Sequence, residues 1–225
     1  MYWLNNLLEF PPVEEADPWG ALAVGGDLSP ERLLLAYRSG IFPWYNEGQP
    51  IVWYSPDPRF VLYPNQLHVS RRMRPMLNQP PFSVTYDTHF SEVVRQCQHI
   101  KRPDQSGTWI TQAMQEAYVR LHQLGHAHSV EVWQHNALVG GIYGLALGSI
   151  FFGESMFSTV DNASKFGFIT LVRRLQQHNF TLVDCQVHTP HLARWGAQHL
   201  PRHEFMRHLW HGVALPNRWS PVSTC

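Results

Sequence analysis

Apolar residues along this chain fall into short runs whose spacing changes from helical to strand-like and back. The first third is broken by Pro, Gly and Trp, and one amphipathic segment stands out in it. Leu33, Leu34 and Tyr37 share a helical face, Ser29 stands at the N-cap, Pro30 at the first helical position, and Gly40 ends the helix. The segment SPDPR, residues 55–59, reads as a turn-rich boundary, so the spacing predicts a junction near residue 60. That divides the chain into a small domain, 1–60, and a larger one, 61–225. In the larger part Phe90, Val93, Val94 and Cys97 recur at helical spacing, and a second helix is expected from Gln112 to Leu124 between Thr111 and Gly125. HSVEVWQ, LVGGIYGLAL and SIFFGESMF read as successive strands, the first two joined by a turn at Gln134–Ala137. A helix over Ala163–Gln177, capped by Asp161 or Asn162, a strand at FTLVDCQV and a helical tail around LPRHEFMRHL follow. The middle strands are too closely spaced for helical crossovers, so the order predicts an α+β layer sandwich with a mixed sheet and excludes a doubly wound parallel one.

Composition narrows the picture. The 225 residues are 44% hydrophobic and 15% charged, enough for a sizeable core. Lys+Arg and Asp+Glu both number 17, which argues against a protein that coats nucleic acid by bulk charge but leaves room for a local basic patch. Cys97, Cys185 and Cys225 are odd in number and form no CxxC, so neither a disulfide framework nor a zinc site is expected. No basic leader and no run of membrane-spanning length is present, and the reading is a cytoplasmic protein without membrane association.

Candidate chemistry sits in the later strands. Asp184 and Gln186 are two apart, which on a regular strand sends both side chains to one face and Val183, Cys185 and Val187 to the other. Asp184 then either orients the Gln186 amide or simply caps a loop or meets an arginine; Cys185 is expected to pack in the core. Glu154 lies among Phe151, Phe152, Met156 and Phe157, a half-buried setting in which a carboxylate calls for a cationic partner. Arg71, Arg72 and Arg74 lie within four residues; they form a solvated face or bind phosphates. His122, His126 and His128 lack a carboxylate at supporting spacing, so no metal is expected. GxGxxG, GxxxxGK[ST] and GxSxG are absent, which removes support for dinucleotide binding, P-loop chemistry and a serine hydrolase elbow.

Taken in order, GGDLSPERLLLAY, GIFPWY, WYSPDPR, GTWIT, YVRLHQLGHAHSVEVW, LVGGIYG, GESMFS, NASK and DCQV resemble the leucyl/phenylalanyl-tRNA–protein transferases, and WGAQHLPRHEF extends the likeness. The resemblance implies a GNAT-like catalytic domain behind a small N-terminal domain. It implies transfer of Leu or Phe, and possibly Met, from Leu-tRNA or Phe-tRNA to proteins with N-terminal Arg or Lys, which marks them for degradation. No cofactor or metal is implied: the ester is already activated, and STVDNASK lacks the glycine-rich pyrophosphate loop usual in GNAT acetyltransferases. Asp184 and Gln186 are then the expected catalytic pair, although assistance by the tRNA itself stays an alternative. Glu154 is expected beside the acceptor N-terminus, and Trp44 and Trp109 at the terminal adenosine, unless both plug the interface between domains. Ile142, Phe151, Met156, Phe168 and Val183 are expected around the donor side chain, and Arg71, Arg72 and Arg74 on tRNA phosphates. Two other classes stay open: an acetyl-CoA-dependent GNAT acetyltransferase, and a non-enzymatic tRNA-binding adaptor.

Overall fold

A computed structural model describes residues 1–100 and 108–219; Cys225 lies outside them. The chain forms β1 (Tyr2–Leu4), β2 (Ala21–Gly25), α1 (Pro30–Arg38), β3 (Phe42–Pro43) and β4 (Val52–Tyr54), then β5 (Arg59–Leu62), α2 (Arg74–Asn78), β6 (Ser83–Tyr86), α3 (Phe90–His99) and α4 (Gln112–Gln123). It continues with β7 (Ala127–Gln134), β8 (Ala137–Leu147), β9 (Ile150–Ser158), α5 (Ala163–Gln177), β10 (Leu182–Gln186), α6 (Pro190–Ala193), β11 (Gln198–Leu200) and α7 (Arg202–Val213).

Two sheets result. A four-stranded sheet of order β1-β2-β4-β3 occupies the first third, where the irregular hydrophobic pattern predicts only α1. Its strands are two to five residues long, too short to display alternation. The second sheet has the order β11-β5-β10-β9-β8-β7-β6 and is antiparallel except between β9 and β10. This is the mixed α+β arrangement that the spacing predicts. The signal for β5 was hidden as well: RFVL is buried at all four positions, so it carries no polar alternation.

The caps follow local chemistry. The Ser29 side chain accepts from the Arg32 backbone N–H and that of Thr111 from Met114 N–H. Neither expected cap of α5 works this way: Asn162 holds the cap position with φ 68° but makes no side-chain cap bond, and its Oδ1 accepts from Lys165 Nζ at 2.9 Å. His135 and Asn136 both have positive φ, which is what a two-residue hairpin between β7 and β8 demands.

The large sheet separates two apolar layers. On one side Leu33, Tyr37, Val93, Tyr118, Leu145 and Phe205 join helices α1, α3, α4 and α7 in a single core, so α1 of the first third packs against the large sheet's helices. On the other side α5 buries Phe168, Leu171, Val172 and Leu175 against Phe151, Ile142 and Val183. Two irregularities in this sheet prepare the site. Between β8 and β9, Tyr143 faces Ser155 and Gly144 faces Gly153, which leaves Glu154 as the extra residue of a bulge. The parallel β9–β10 pairing stops at Asp184 and Phe152, while β9 runs on to Ser158 without a β10 partner. The two strands part there and a gap opens.

Candidate active site

The gap holds a cavity of about 230 Å³. All five residues expected around a donor side chain, Ile142, Phe151, Met156, Phe168 and Val183, line it. Trp44 and Trp109 line it too, the first from the segment after β3 and the second from the residues before α4. Glu154 and Gln186 stand on its wall; Asp184 does not. Arg71, Arg72 and Arg74 are exposed and lie elsewhere, Arg71 and Arg74 bordering a separate depression with Pro75, Asn78 and Gln79.

The expectation that Asp184 and Gln186 share a face is overturned. Gln186 adopts φ 63°, and the β5–β10 register slips between Asp184 and Gln186, so the alternation of a regular strand is lost there. As a result Val183, Cys185, Gln186 and Val187 all reach the cavity, while Asp184 turns into the protein. The buried Asp184 carboxylate accepts a two-pronged bond from Arg59, Nε to Oδ1 at 2.9 Å and a terminal nitrogen to Oδ2 at 2.8 Å. The Arg59 guanidinium is sandwiched between Phe42 and Phe205, 4.7 Å from each ring centre. Asp184 also accepts the Gln186 backbone N–H at 2.9 Å. It therefore holds the bend that aims Gln186 and does not touch the Gln186 amide group.

The carboxylate that does is Glu154. Gln186 Nε2 donates to Glu154 Oε1 at 2.9 Å. With Glu154 ionised the Tyr37 hydroxyl donates to Oε1 at 2.7 Å and the Tyr118 hydroxyl to Oε2 at 2.9 Å; when Glu154 is protonated its own proton frees one tyrosine hydroxyl to donate to the other, which lies within hydrogen-bond reach. Glu154 lies on the tyrosine side, two residues beyond Phe152, and the bulge reverses the phase of β9 after it: Phe157, five residues from Phe152, also packs with the Tyr37 layer. Glu154 is half-buried as expected, but the cationic partner expected for it is replaced by three neutral donors. Burial raises its carboxyl to about 7, the nearby Asp184 charge adds to this, and the bonds from Tyr37, Tyr118 and Gln186 only partly oppose it. Burial and the Glu154 charge keep Tyr37 and Tyr118 protonated far above neutral pH, so both remain donors. Burial likewise pushes the Cys185 thiol well above its ordinary range, which leaves it a thiol in the cavity wall and no nucleophile.

Tyr37, Tyr118 and Arg59 were missed as site residues in the sequence. Tyr37 and Tyr118 sit on the apolar faces of α1 and α4, where a tyrosine reads as core, and Arg59 ends a turn motif. Only an apolar helix face that carries a hydroxyl at its centre hinted at a buried acceptor. Among the described residues no group of three or more His, Cys, Asp or Glu is arranged to hold a metal. His122 and His128 instead spend Nδ1 on the Ala127 carbonyl and the Asp87 carboxylate.

The cavity therefore offers an apolar recess, two indole rings at its rim, and a carboxyl of near-neutral proton affinity joined to a glutamine amide. Similar proteins give it a context. Residues 61–210 match the leucyl/phenylalanyl-tRNA protein transferase family and residues 26–57 match the N-terminal domain of the same family. The leucyl/phenylalanyl-tRNA–protein transferase of Pseudomonas fluorescens is 56% identical over 219 residues, 96% of either chain. That of Flavobacterium johnsoniae is 57% identical over 206 residues, 92% of this chain and 97% of the other. Solved structures are more distant. L-PGS from Bacillus licheniformis aligns with TM-score 0.43 at 10% identity, over 75% of this chain and 54% of that one. A GCN5-related N-acetyltransferase from Kribbella flavida aligns with TM-score 0.36 at 9% identity, over 77% and 61%. With more than half of all positions identical over nearly its whole length, this chain belongs to the leucyl/phenylalanyl-tRNA–protein transferases, enzymes that move an aminoacyl group from tRNA to protein.

Proposed function

We propose that this enzyme transfers leucine or phenylalanine from Leu-tRNA or Phe-tRNA to the α-amino group of cytoplasmic proteins that begin with Arg or Lys, and that the cavity between β9 and β10 is where it does so. The observation that carries the reading is the Gln186–Glu154 pair on the wall of an apolar recess. The acceptor nitrogen attacks the ester carbon, the new C–N bond forms, and the C–O bond to the tRNA ribose breaks. An α-amino group has a pKa of about 7.7–8.0, so a neutral fraction exists near pH 7 and no strong base is needed. Because Gln186 Nε2 is occupied by Glu154, its Oε1 is left to accept from the amine, and the bond to the carboxylate polarises the amide for that task. Glu154 receives the proton that the nitrogen loses and returns one to the ribose oxygen as the C–O bond breaks, so that the ribose leaves as an alcohol and the carboxylate is restored. An acid near pKa 7 is matched to this exchange.

The aliphatic and aromatic lining suits Leu and Phe side chains, and Met156 adds an adaptable wall. Trp44 and Trp109 are suited to stack on the terminal adenosine common to every donor. Trp44→Ala and Trp109→Ala are expected to raise the donor KM similarly for Leu and Phe, in line with about 1–3 kcal/mol per stacked base. Equal KM with a lowered melting temperature would make them structural plugs. Arg71, Arg72 and Arg74 form no salt bridge among the described residues and are available to phosphates. The triple alanine variant should weaken binding of all tRNAs and flatten its salt dependence; an unaltered slope would return the cluster to a solvated face.

The direct test supplies purified protein with Leu-tRNA, Phe-tRNA or acetyl-CoA and an Arg-started acceptor. Transfer from the charged tRNAs alone is expected. Acetylation without aminoacyl transfer would favour the acetyltransferase reading, and tRNA binding with neither product would favour an adaptor.

A further inference from the structure

Residues 214–219, which follow α7, lie beyond the stretch matched by the family, 61–210, and cross back over the large sheet. Arg218 N–H donates to the Gly148 carbonyl in the β8–β9 turn at 3.0 Å, and its guanidinium donates to the Asn179 carbonyl before β10. The crossing ends with Trp219 inserted among side chains of four elements. Its indole N–H donates to Asp87 Oδ2 at 2.7 Å, and its ring stacks on His128 at 4.4 Å and 20°. Arg174 of α5 lies 5.4 Å from the ring, Tyr86 meets it edge-on at 6.2 Å, and Phe151 lies nearly parallel to it at 5.9 Å and 24°.

Phe151 is the link to the site, for it lines the cavity while touching this strap. Its ring is confined elsewhere by β8: a Cβ added at Gly144 would stand 2.7 Å from Phe151 Cζ, closer than real atoms approach. The ring thus fills the space that a side chain at Gly144 would take and has Trp219 against it. Trp219 is in turn fixed by Asp87, which also accepts from His128 Nδ1 at 3.0 Å and from Ser129 N–H at 2.9 Å. Packed rings transmit such constraints, because removing one leaves its neighbour free to move into the void.

We infer that the strap is a working part of the donor pocket: Trp219 is a positioning residue that sets the place of the Phe151 ring and thereby the balance between leucine and phenylalanine donors. The inference rests on the reading of the cavity as the donor side-chain pocket. A planar ring and a branched aliphatic chain fill an apolar recess differently, and discrimination in such a recess amounts to only about 10–200-fold. A small displacement of one wall is enough to alter it.

The experiment compares wild type, Phe151→Ala, Trp219→Ala and Trp219→Phe in the ratio of kcat/KM for Phe-tRNA to that for Leu-tRNA, together with acceptor KM and melting temperature. Trp219→Ala is expected to shift the ratio about three- to tenfold in the same direction as Phe151→Ala, with acceptor KM unaltered. Trp219→Phe keeps a ring beside Phe151 but loses the bond to Asp87, so it should fall between, and it decides the matter if Trp219→Ala does not fold. A shifted ratio in Phe151→Ala with none in the Trp219 variants, even if they melt early, would make the strap a brace only. An unchanged ratio in all of them would sink the donor-pocket reading and this inference with it.

Discussion

Glu154→Gln is expected to abolish most transfer while making the protein harder to unfold above neutral pH. The amide can keep the neighbours in place: its oxygen accepts from Tyr37 and Gln186, and its NH₂ can donate to the Tyr118 oxygen, which still has Tyr37 as a partner. What is lost is the proton acceptor, and removal of a general base lowers rate by about 10²–10⁴-fold. In the native enzyme kcat/KM should rise with pH through about 7 as Glu154 ionises, and that limb should be missing in the variant. Stability moves the other way. Burial raises the Glu154 pKa above its unfolded value, so the fold favours the protonated acid. That contribution is whole below the unfolded pKa of about 4.5 and is lost as pH rises through about 7. A glutamine never ionises, so its advantage, on the order of 1–3 kcal/mol, should appear above pH 7 and vanish toward pH 4. Steady-state rates and thermal melting between pH 5 and pH 9 check both halves. Retained turnover in Glu154→Gln would mean that the proton leaves by another route, the tRNA itself being the alternative, and Gln186→Ala would then tell whether the amide still orients the amine.

Arg59→Ala is expected to be the most damaging single change to the fold. It strips the two-pronged partner from a carboxylate with no solvent exposure and empties the space between Phe42 and Phe205. Loss of one member of a buried pair costs about 3–5 kcal/mol, a large share of the stability of an ordinary domain. The double variant Arg59→Met/Asp184→Leu removes both charges and should recover much of the melting temperature, since apolar replacements of buried pairs are often neutral. It should not recover turnover, because the Gln186 backbone N–H would lose the acceptor that holds its left-handed turn. Asp184→Ala alone should therefore reduce both stability and kcat. If the double variant melted like wild type and also turned over like it, Asp184 would have no part in aiming Gln186.

The residue pattern alone determined the helices with strong apolar stripes, the capping at Ser29 and Thr111, and the run of antiparallel strands from β7 to β9, because those signals are local and follow from spacing and side-chain chemistry. Motif strings were enough to point to the family, and Trp44, Trp109, Glu154, Gln186 and the five residues expected around the donor side chain all line one cavity. The short strands of the first sheet and the fully buried β5 were not legible, since neither length nor alternation set them apart from loops or core helix. Nor was the wiring of the site. Strand alternation is a rule for regular strands, and this protein breaks it twice, with a bulge at Glu154 and a left-handed residue at Gln186. The expected partners are exchanged: Asp184 goes to Arg59, 125 residues away in the chain, and Glu154 goes to Gln186, Tyr37 and Tyr118. Such pairings depend on where strands stop pairing and which helix lies over the gap, and so only the tertiary structure decided which carboxylate stands beside the glutamine.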